Sequence, residues 1–473
     1  MNNSTEQSNN SQNLIISHDL ILNKIVEHLK PISFGKKVAL EADDKLKKQH
    51  FIIETIEEVK SQAKELNWFI GVKNGLIYVF NGAFWKPLKK AEIEKFLGAS
   101  AQKLGVNKYD AKFYSFRAEL VKQLVSSAYY MKQVIPSDEL LINLKNGTFL
   151  ISPEATMLSP GFDAKDFLTY QLPFEYNPDA SCPIFDQFLN EVLPDKDQQN
   201  ILAEYMGYVF FRHKTLKLEK CMVLFGKGAN GKSVFFDVIT ALLGSENVSS
   251  FSLQSLTNDS GYCRALLGSK LLNYASEISS HMDSAYFKQL VSGEPVEARL
   301  PYSSPFILED YAKLIFNANE LPRDVEQNEA FFRRFIIIKF DVTIPEERRN
   351  PELAQKIINS ELPGVFNWVL DGLSRLTRQK KFSNSNLANE AAKEYKFNSC
   401  SVNLFLDEES FERSNTDESK LHSFYQKYHK YSLESGYKPT SKKLFAERLR
   451  NLGFSITRKN YGMVVGVQKK ILQ

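Results

Sequence analysis

The sequence predicts an α/β protein. Strands and helices alternate around a glycine-rich loop, with a mixed α+β domain before this core and a basic helix-and-hairpin domain after it. Three observations predict this. A short apolar run over 221–225 leads directly into Gly226-Lys227-Gly228-Ala229-Asn230-Gly231-Lys232-Ser233 and then into an amphipathic stretch through Leu243. Strand-like and helix-like segments alternate from there to about Phe340, the pattern of an α/β domain. The last 55 residues carry twelve Lys/Arg against two Glu, a local net charge of +10.

The earlier segments fall in order. Residues 1–16 are rich in Asn, Ser and Gln and lack an apolar stretch, so they read as a disordered tail and not as a signal peptide. Residues 14–66 read as mostly helical. Short β segments follow over 68–85, punctuated by Asn74-Gly75 and Asn81-Gly82, pairs that supply the positive φ of tight hairpins. A helical stretch runs to about Lys132, and a further hairpin is expected to turn at Asn146-Gly147. Tyr176-Asn-Pro-Asp-Ala-Ser-Cys-Pro183 reads as a linker and 184–212 as helical. After the core come a mostly helical stretch to about Lys381 and a polar linker. The chain closes with a helix over 420–432, a helix over 441–451, and a hairpin turning at Asn460-Tyr461-Gly462. Helix–helix–hairpin is the order of the second half of a winged helix, and its basic second helix suits a DNA groove or backbone. Lys442, Lys443, Arg448, Arg450, Arg458 and Lys459 are the candidate DNA contacts there. The expected domains are therefore 17–183 (accessory), 184–381 (core) and 382–473 (linker and winged helix).

Bulk composition narrows the function classes. A chain of 473 residues with 43% apolar and 25% charged residues has the make-up of a soluble globular protein. Cys182, Cys221, Cys263 and Cys400 are widely spaced with no CxxC pair, so neither a structural zinc site nor a disulfide framework is expected, and a reducing cytoplasm fits. No apolar run reaches the roughly 18 residues of a membrane span.

The loop over 226–233 fits GxxxxGK[ST], a P-loop. Glycines let the backbone wrap phosphates with N–H groups pointing inward. Lys232 would bring a cation to the β and γ phosphates of ATP, and the Ser233 hydroxyl would ligate Mg²⁺. A P-loop ATPase also needs an acid after a second strand, and Glu277, closing Leu271-Leu-Asn-Tyr-Ala-Ser-Glu277, is the candidate base and second metal contact. A third strand over 313–319 ends in amides, Asn317 and Asn319, and an Asn there could orient the attacking water.

This ordered set resembles the superfamily 3 helicases, in particular the helicase part of phage, plasmid and poxvirus primase–helicases. Asn230 in the loop, Ala-Ser-Glu277, Phe287–Arg299, Asn319-Glu-Leu-Pro322 and Phe332-Arg333-Arg334-Phe each resemble a family motif. Upstream, Asn143-Leu-Lys-Asn-Gly-Thr148 and Tyr176–Ala180 resemble the family's accessory domain. The resemblance implies an AAA+-like core with a C-terminal winged helix, working as a homo-oligomeric ring, usually a hexamer. It also implies that Asn319 senses the γ phosphate and that Arg333 or Arg334 reaches a neighbouring subunit's ATP. Lys288 and Arg299 fall in the segment that carries a pore hairpin touching single-stranded DNA. The sequence departs from the family at Ser276, at Gly293-Glu294, and at Tyr302-Ser303, where a lysine is usual and Lys313 or Arg299 would have to take its part. Residues 1–135 offer no paired carboxylates with a following His, so no primase activity is expected, and Asp43-Asp44 reads as solvated. The function implied is an ATP-dependent replicative DNA helicase of a phage, plasmid or other mobile element. It would move 3′ to 5′ on single-stranded or forked DNA in the host cytoplasm, alongside a separate primase or polymerase. The alternative is an initiator or regulator that uses ATP only to assemble on DNA.

Overall fold

The computed structural model describes residues 17–39, 45–73, 76–127, 139–152, 156–276, 278, 282–301, 304–322 and 325–470. The expected tail, Asp43-Asp44 and the Asn74-Gly75 turn lie outside the described residues. The chain divides into two compact units, residues 1–176 and 177–473.

In the first unit, helices His18–His28, Lys48–Glu65, Lys90–Leu104 and Tyr114–Ser127 close over an antiparallel sheet of Phe69–Lys73, Leu76–Phe80 and Trp85–Pro87. Ile25, Ile56, Val59, Leu97, Leu104 and Leu120 fill their common core. A second antiparallel sheet is formed by Leu140–Leu144, Gly147–Ile151 and Thr156–Ser159; its first hairpin falls where the sequence predicts one, with Lys145-Asn146 as the turn and Gly147 paired with Leu144. Buried Asn143 ties it to the first sheet, donating from Nδ2 to the Ala83 carbonyl at 2.7 Å.

The second unit is built on a five-stranded sheet, all parallel, in the order Phe335–Lys339, Cys221–Phe225, Lys313–Ala318, Leu272–Ala275, Val248–Ser249. Cys221–Leu224 and Lys313–Ala318 are buried throughout, as strands covered on both faces should be. Helix Lys232–Leu243 buries Phe235, Val238, Ile239, Leu242 and Leu243 and stops at Gly244. The stretch read as helical over 184–212 forms two helices, Pro183–Val192 and Lys196–Tyr208. Pro194 interrupts it, and Asp195 caps the second helix by accepting from Gln198 N at 2.7 Å. Glu204, fully buried, accepts from Arg375 Nε (3.3 Å) and from Ser383 N (2.8 Å), locking the helix Leu362–Gln379 and the following turn to this lead-in.

The terminal segment adds helices Asn386–Asn398, Ser401–Glu408, Leu421–Glu434 and Lys442–Asn451 and a sheet ordered Phe411–Lys420, Gly462–Lys469, Ile456–Lys459. Phe405, Phe424, Tyr428 and Phe445 pack ring against ring at its centre, with Tyr428 stacked on Phe445. The two basic-region helices and the hairpin match the reading from sequence, whereas strand Phe411–Lys420 has no counterpart there. Its sequence, FERSNTDESK, is polar, and its register slips between Arg413 and Glu418. No helix among the described residues is long and apolar enough to cross a membrane.

Candidate functional site

The glycine-rich loop lies at the C-terminal edge of the parallel sheet, between the inner strand Cys221–Phe225 and helix Lys232–Leu243. Its backbone takes conformations that L side chains avoid: φ is +112° at Gly228, +47° at Ala229 and +86° at Gly231. At Gly226 the constraint is space, since a Cβ would stand 2.4 Å from the Phe340 carbonyl oxygen. Asn230 fixes the loop from within, donating from Nδ2 to that carbonyl at 2.9 Å. Ile344 N donates to Ala229 O at 2.7 Å and closes the outer side. Lys232 turns back over the loop, with Nζ 2.6 Å from Gly226 O and 3.1 Å from Asn230 Oδ1. Its side chain is buried, which holds its ammonium below the ordinary lysine range. Lys227 and Ser233 are exposed. Helix Lys232–Leu243 has no side-chain cap at its start, so its first N–H groups face the loop.

Parallel pairing brings the other predicted residues to this edge or keeps them from it. Phe225 pairs with Ala318, so exposed Asn319 emerges beside Gly226. Ala275 pairs with Phe316 on the next strand, and Ser276 leaves the sheet on the same side. Glu277 lies outside the described residues. Arg333 and Arg334 sit at the opposite end, just before Phe335, which pairs with Cys221. A five-residue strand separates them from their own loop, about 16 Å of chain. Neither arginine can therefore serve the loop of its own chain. The two differ sharply. Arg333 is exposed and bonds Glu219 at 2.7 Å. Arg334 is buried, with Nη2 2.7 Å from Ser292 Oγ, Nη1 on the Ala330 carbonyl and Glu219 at 3.7 Å.

The predicted DNA contacts also separate. Val296–Ala298 and Phe306–Leu308 pair as an antiparallel hairpin, and exposed Arg299 follows its first strand. Lys288, on the preceding helix, is held by both oxygens of Glu326 at 2.9 and 3.2 Å. Lys313 is no hairpin-tip cation: it is 3% exposed at the base of its strand, donating to His213 Nδ1 at 2.8 Å and lying 4.3 Å from the Tyr208 ring centroid. Tyr302-Ser303 lie outside the described residues. In the terminal segment, Lys442, Lys443, Arg450 and Arg458 are exposed, and Lys459 pairs with Glu418 at 2.7 Å. Arg448 is turned inward, 9% exposed, a placement that its helical position beside Leu449 allows and its charge concealed.

Several residues that shape this region were not singled out from the sequence. Glu219, just before strand Cys221–Phe225, anchors both arginines. Asn317 accepts from Tyr274 OH at 3.0 Å, bridging two neighbouring strands below Asn319. Arg264, fully buried, donates to the carbonyls of Leu256 (2.9 Å) and Glu297 (2.9 Å) and so holds the hairpin to the core. A cleft lined by Phe225, Asn319, Pro322, Lys339 and Glu394 opens beside the loop edge. A polar strand-end signal exists for Asn317, but Glu219 lies in an ordinary charged stretch, and Arg264 stands alone in a mostly uncharged one with nothing in the sequence to mark its burial.

Fold and site together define a mixed α/β protein whose candidate site lies on the C-terminal edge of a parallel sheet. Two family models match the chain: "D5 N terminal like" over residues 45–194 and a family of unknown function, DUF5906, over residues 224–334. An inferred helicase of Acanthamoeba polyphaga mimivirus, L207/L206, is 23% identical over 274 residues, covering 55% of this chain and 28% of that relative. The chain thus spans well under two thirds of that relative's length. The resemblance to the superfamily 3 helicases of phage, plasmid and poxvirus type stands on these matches. Among solved structures, the A form apo structure of the NrS-1 C-terminal region is similar at 14% identity and a TM-score of 0.48, over 87% of this chain and 98% of that one. The apo structure of NrS-1 residues 305–718 is similar at 12% identity and a TM-score of 0.45, over 89% and 99%.

Proposed function

We propose that this chain is the motor of an ATP-dependent replicative DNA helicase that works as a homo-oligomeric ring on single-stranded DNA, in the 3′ to 5′ sense. The observation that carries the reading is the loop Gly226–Ser233. It follows a buried inner strand and opens a helix, with Lys232 folded over it and Asn319 emerging beside it. The strand order, with the loop-bearing strand between the strands that lead from Arg334 and to Asn319, supports an AAA+-like core. The residues fit a nucleotide with Mg²⁺. The positive-φ backbone makes a cradle that side chains would fill, Lys232 supplies the cation and Ser233 the hydroxyl. Bound Mg²⁺ would neutralise charge on the phosphates. In the proposed mechanism Lys232 exchanges the Gly226 carbonyl for phosphate oxygens. Glu277 takes a proton from the attacking water, and Asn319 orients that water. Arg333, exposed and at the far end of the sheet, reaches the phosphates of a neighbouring subunit. Arg299 and the hairpin Val296–Leu308 would follow the DNA backbone. The terminal helix pair and hairpin would act as a winged helix, meeting duplex or fork through Lys442, Lys443, Arg450 and Arg458.

The test is ATP turnover with and without single-stranded DNA, together with displacement of a labelled strand from a fork. The expected outcome is DNA-stimulated turnover and displacement. ATP-dependent assembly on DNA without displacement would favour an initiator over a motor.

A further inference from the structure

The N-terminal unit carries a surface that the motor reading does not use. The short helix Lys108–Lys112 and the start of helix Tyr114–Ser127 present three large aromatic side chains to solvent: Tyr109 is 80% exposed, Phe113 56% and Tyr114 76%. Exposing rings of this size is unfavourable in water, and a cluster of them marks a contact surface. The turn that carries them is firmly built. Asn107 caps the short helix by accepting from Tyr109 N at 2.9 Å. Arg117 clasps the turn, donating from Nε to the Ala111 carbonyl at 3.1 Å and from its backbone N to the Phe113 carbonyl at 3.2 Å. Ala111 and Phe116 anchor it in the core. The rings of Phe113 and Tyr114 touch, with centroids 5.0 Å apart. Lys108 and Lys112 on the same turn are exposed, and neither has an ion-pair partner among the described residues; Asp110 is the one acid between them.

Rings alone would suit a peptide or a second copy of the chain. Rings interleaved with unpaired cations suit a ligand that offers flat apolar faces and regularly spaced negative charge. We propose that this turn is a binding platform for single-stranded nucleic acid, with bases stacking on Tyr109, Phe113 and Tyr114 and phosphates meeting Lys108 and Lys112. Stacking on an aromatic side chain contributes about 1–3 kcal/mol per base and tolerates any sequence. Such a platform would hold a strand through residues of the N-terminal unit alone. It requires no ATP hydrolysis.

The full chain, without nucleotide, is irradiated with a deoxythymidine oligomer carrying 5-iodouracil, and cross-linked peptides are mapped by mass spectrometry. Affinity is read in parallel by fluorescence anisotropy. The expected result is cross-linking to Tyr109, Phe113 or Tyr114. Tyr109→Ala, Phe113→Ala and Tyr114→Ala together should weaken binding by about tenfold or more. Tyr109→Phe with Tyr114→Phe keeps both rings and should keep the affinity, which separates stacking from a loss of fold. Lys108→Ala with Lys112→Ala should lower the salt dependence of binding. Cross-links confined to residues 177–473, with affinity unchanged in the alanine variant, would overturn the platform and leave the motor reading untouched. A changed sedimentation coefficient with unchanged DNA affinity would also overturn it, by making the turn a contact between copies.

Discussion

Lys232 and the two neighbouring arginines show what one side chain decides. Lys232 is buried against the loop carbonyl it would leave to meet phosphate. Lys232→Met should keep the melting temperature within a few degrees and lose binding of a fluorescent ATP analogue. Arg333 and Arg334 are adjacent in sequence and opposite in circumstance. Arg333→Ala removes an exposed guanidinium and one surface ion pair, interactions that contribute little to stability. It should leave ATP binding and thermal stability intact while steady-state turnover falls by about a thousandfold or more, the scale of a lost arginine finger. Arg334→Ala leaves Ser292 and the Ala330 carbonyl without their buried partner. It should cost about 2–3 kcal/mol in denaturant unfolding. Equal effects of the two substitutions on stability would refute this division. The sequence shows a pair of arginines; only the packing shows that one is turned inward.

At the scale of elements, the strand–loop–helix unit over 221–243 was legible because three signals agree there: an apolar run, a glycine pattern and helical periodicity. The Asn146-Gly147 hairpin was legible for the same reason. Strand Phe411–Lys420 was not, because its polar residues lack the alternation by which a half-buried strand is read, and its pairing depends on the distant strand Gly462–Lys469. The loop's tightness yields a prediction. Gly226→Ala places a methyl 2.4 Å from the Phe340 carbonyl oxygen and 2.3 Å from Asn230 Nδ2, against both partners of the hydrogen bond that fixes the loop, so the loop must move. Nucleotide affinity should fall by about tenfold or more, with the far-UV circular dichroism unchanged. The base of strand Lys313–Ala318 yields another. Burial pushes Lys313 down to about 7, and burial with the nearby Lys313 charge pushes His213 down to about 3. Between about pH 7 and the ordinary lysine range near 10.4 the unfolded chain holds a proton that the folded chain has released. Stability should therefore rise as pH is raised from 7 toward 10. Lys313→Met should flatten that rise in denaturant midpoints measured at pH 7 and 9. A rise of the same size in the variant would assign it to other groups.

On the scale of the whole molecule, the arginine pair and the loop lie at opposite ends of one sheet. A complete site of the proposed kind then needs two chains, arranged head to tail around a ring. Mixing Lys232→Ala chains into wild type should depress turnover more steeply than dilution alone, and sedimentation with ATP and single-stranded DNA should show a closed oligomer. A linear fall in activity with the mixing ratio would argue for independent subunits. The central claim is that hydrolysis at Gly226–Ser233 drives strand separation. The most direct measurement is displacement of a labelled strand from a forked duplex by wild type and by Lys232→Ala, matched in concentration and melting temperature. The account predicts displacement by wild type with ATP and none by the variant. Displacement by Lys232→Ala at the wild-type rate would contradict it.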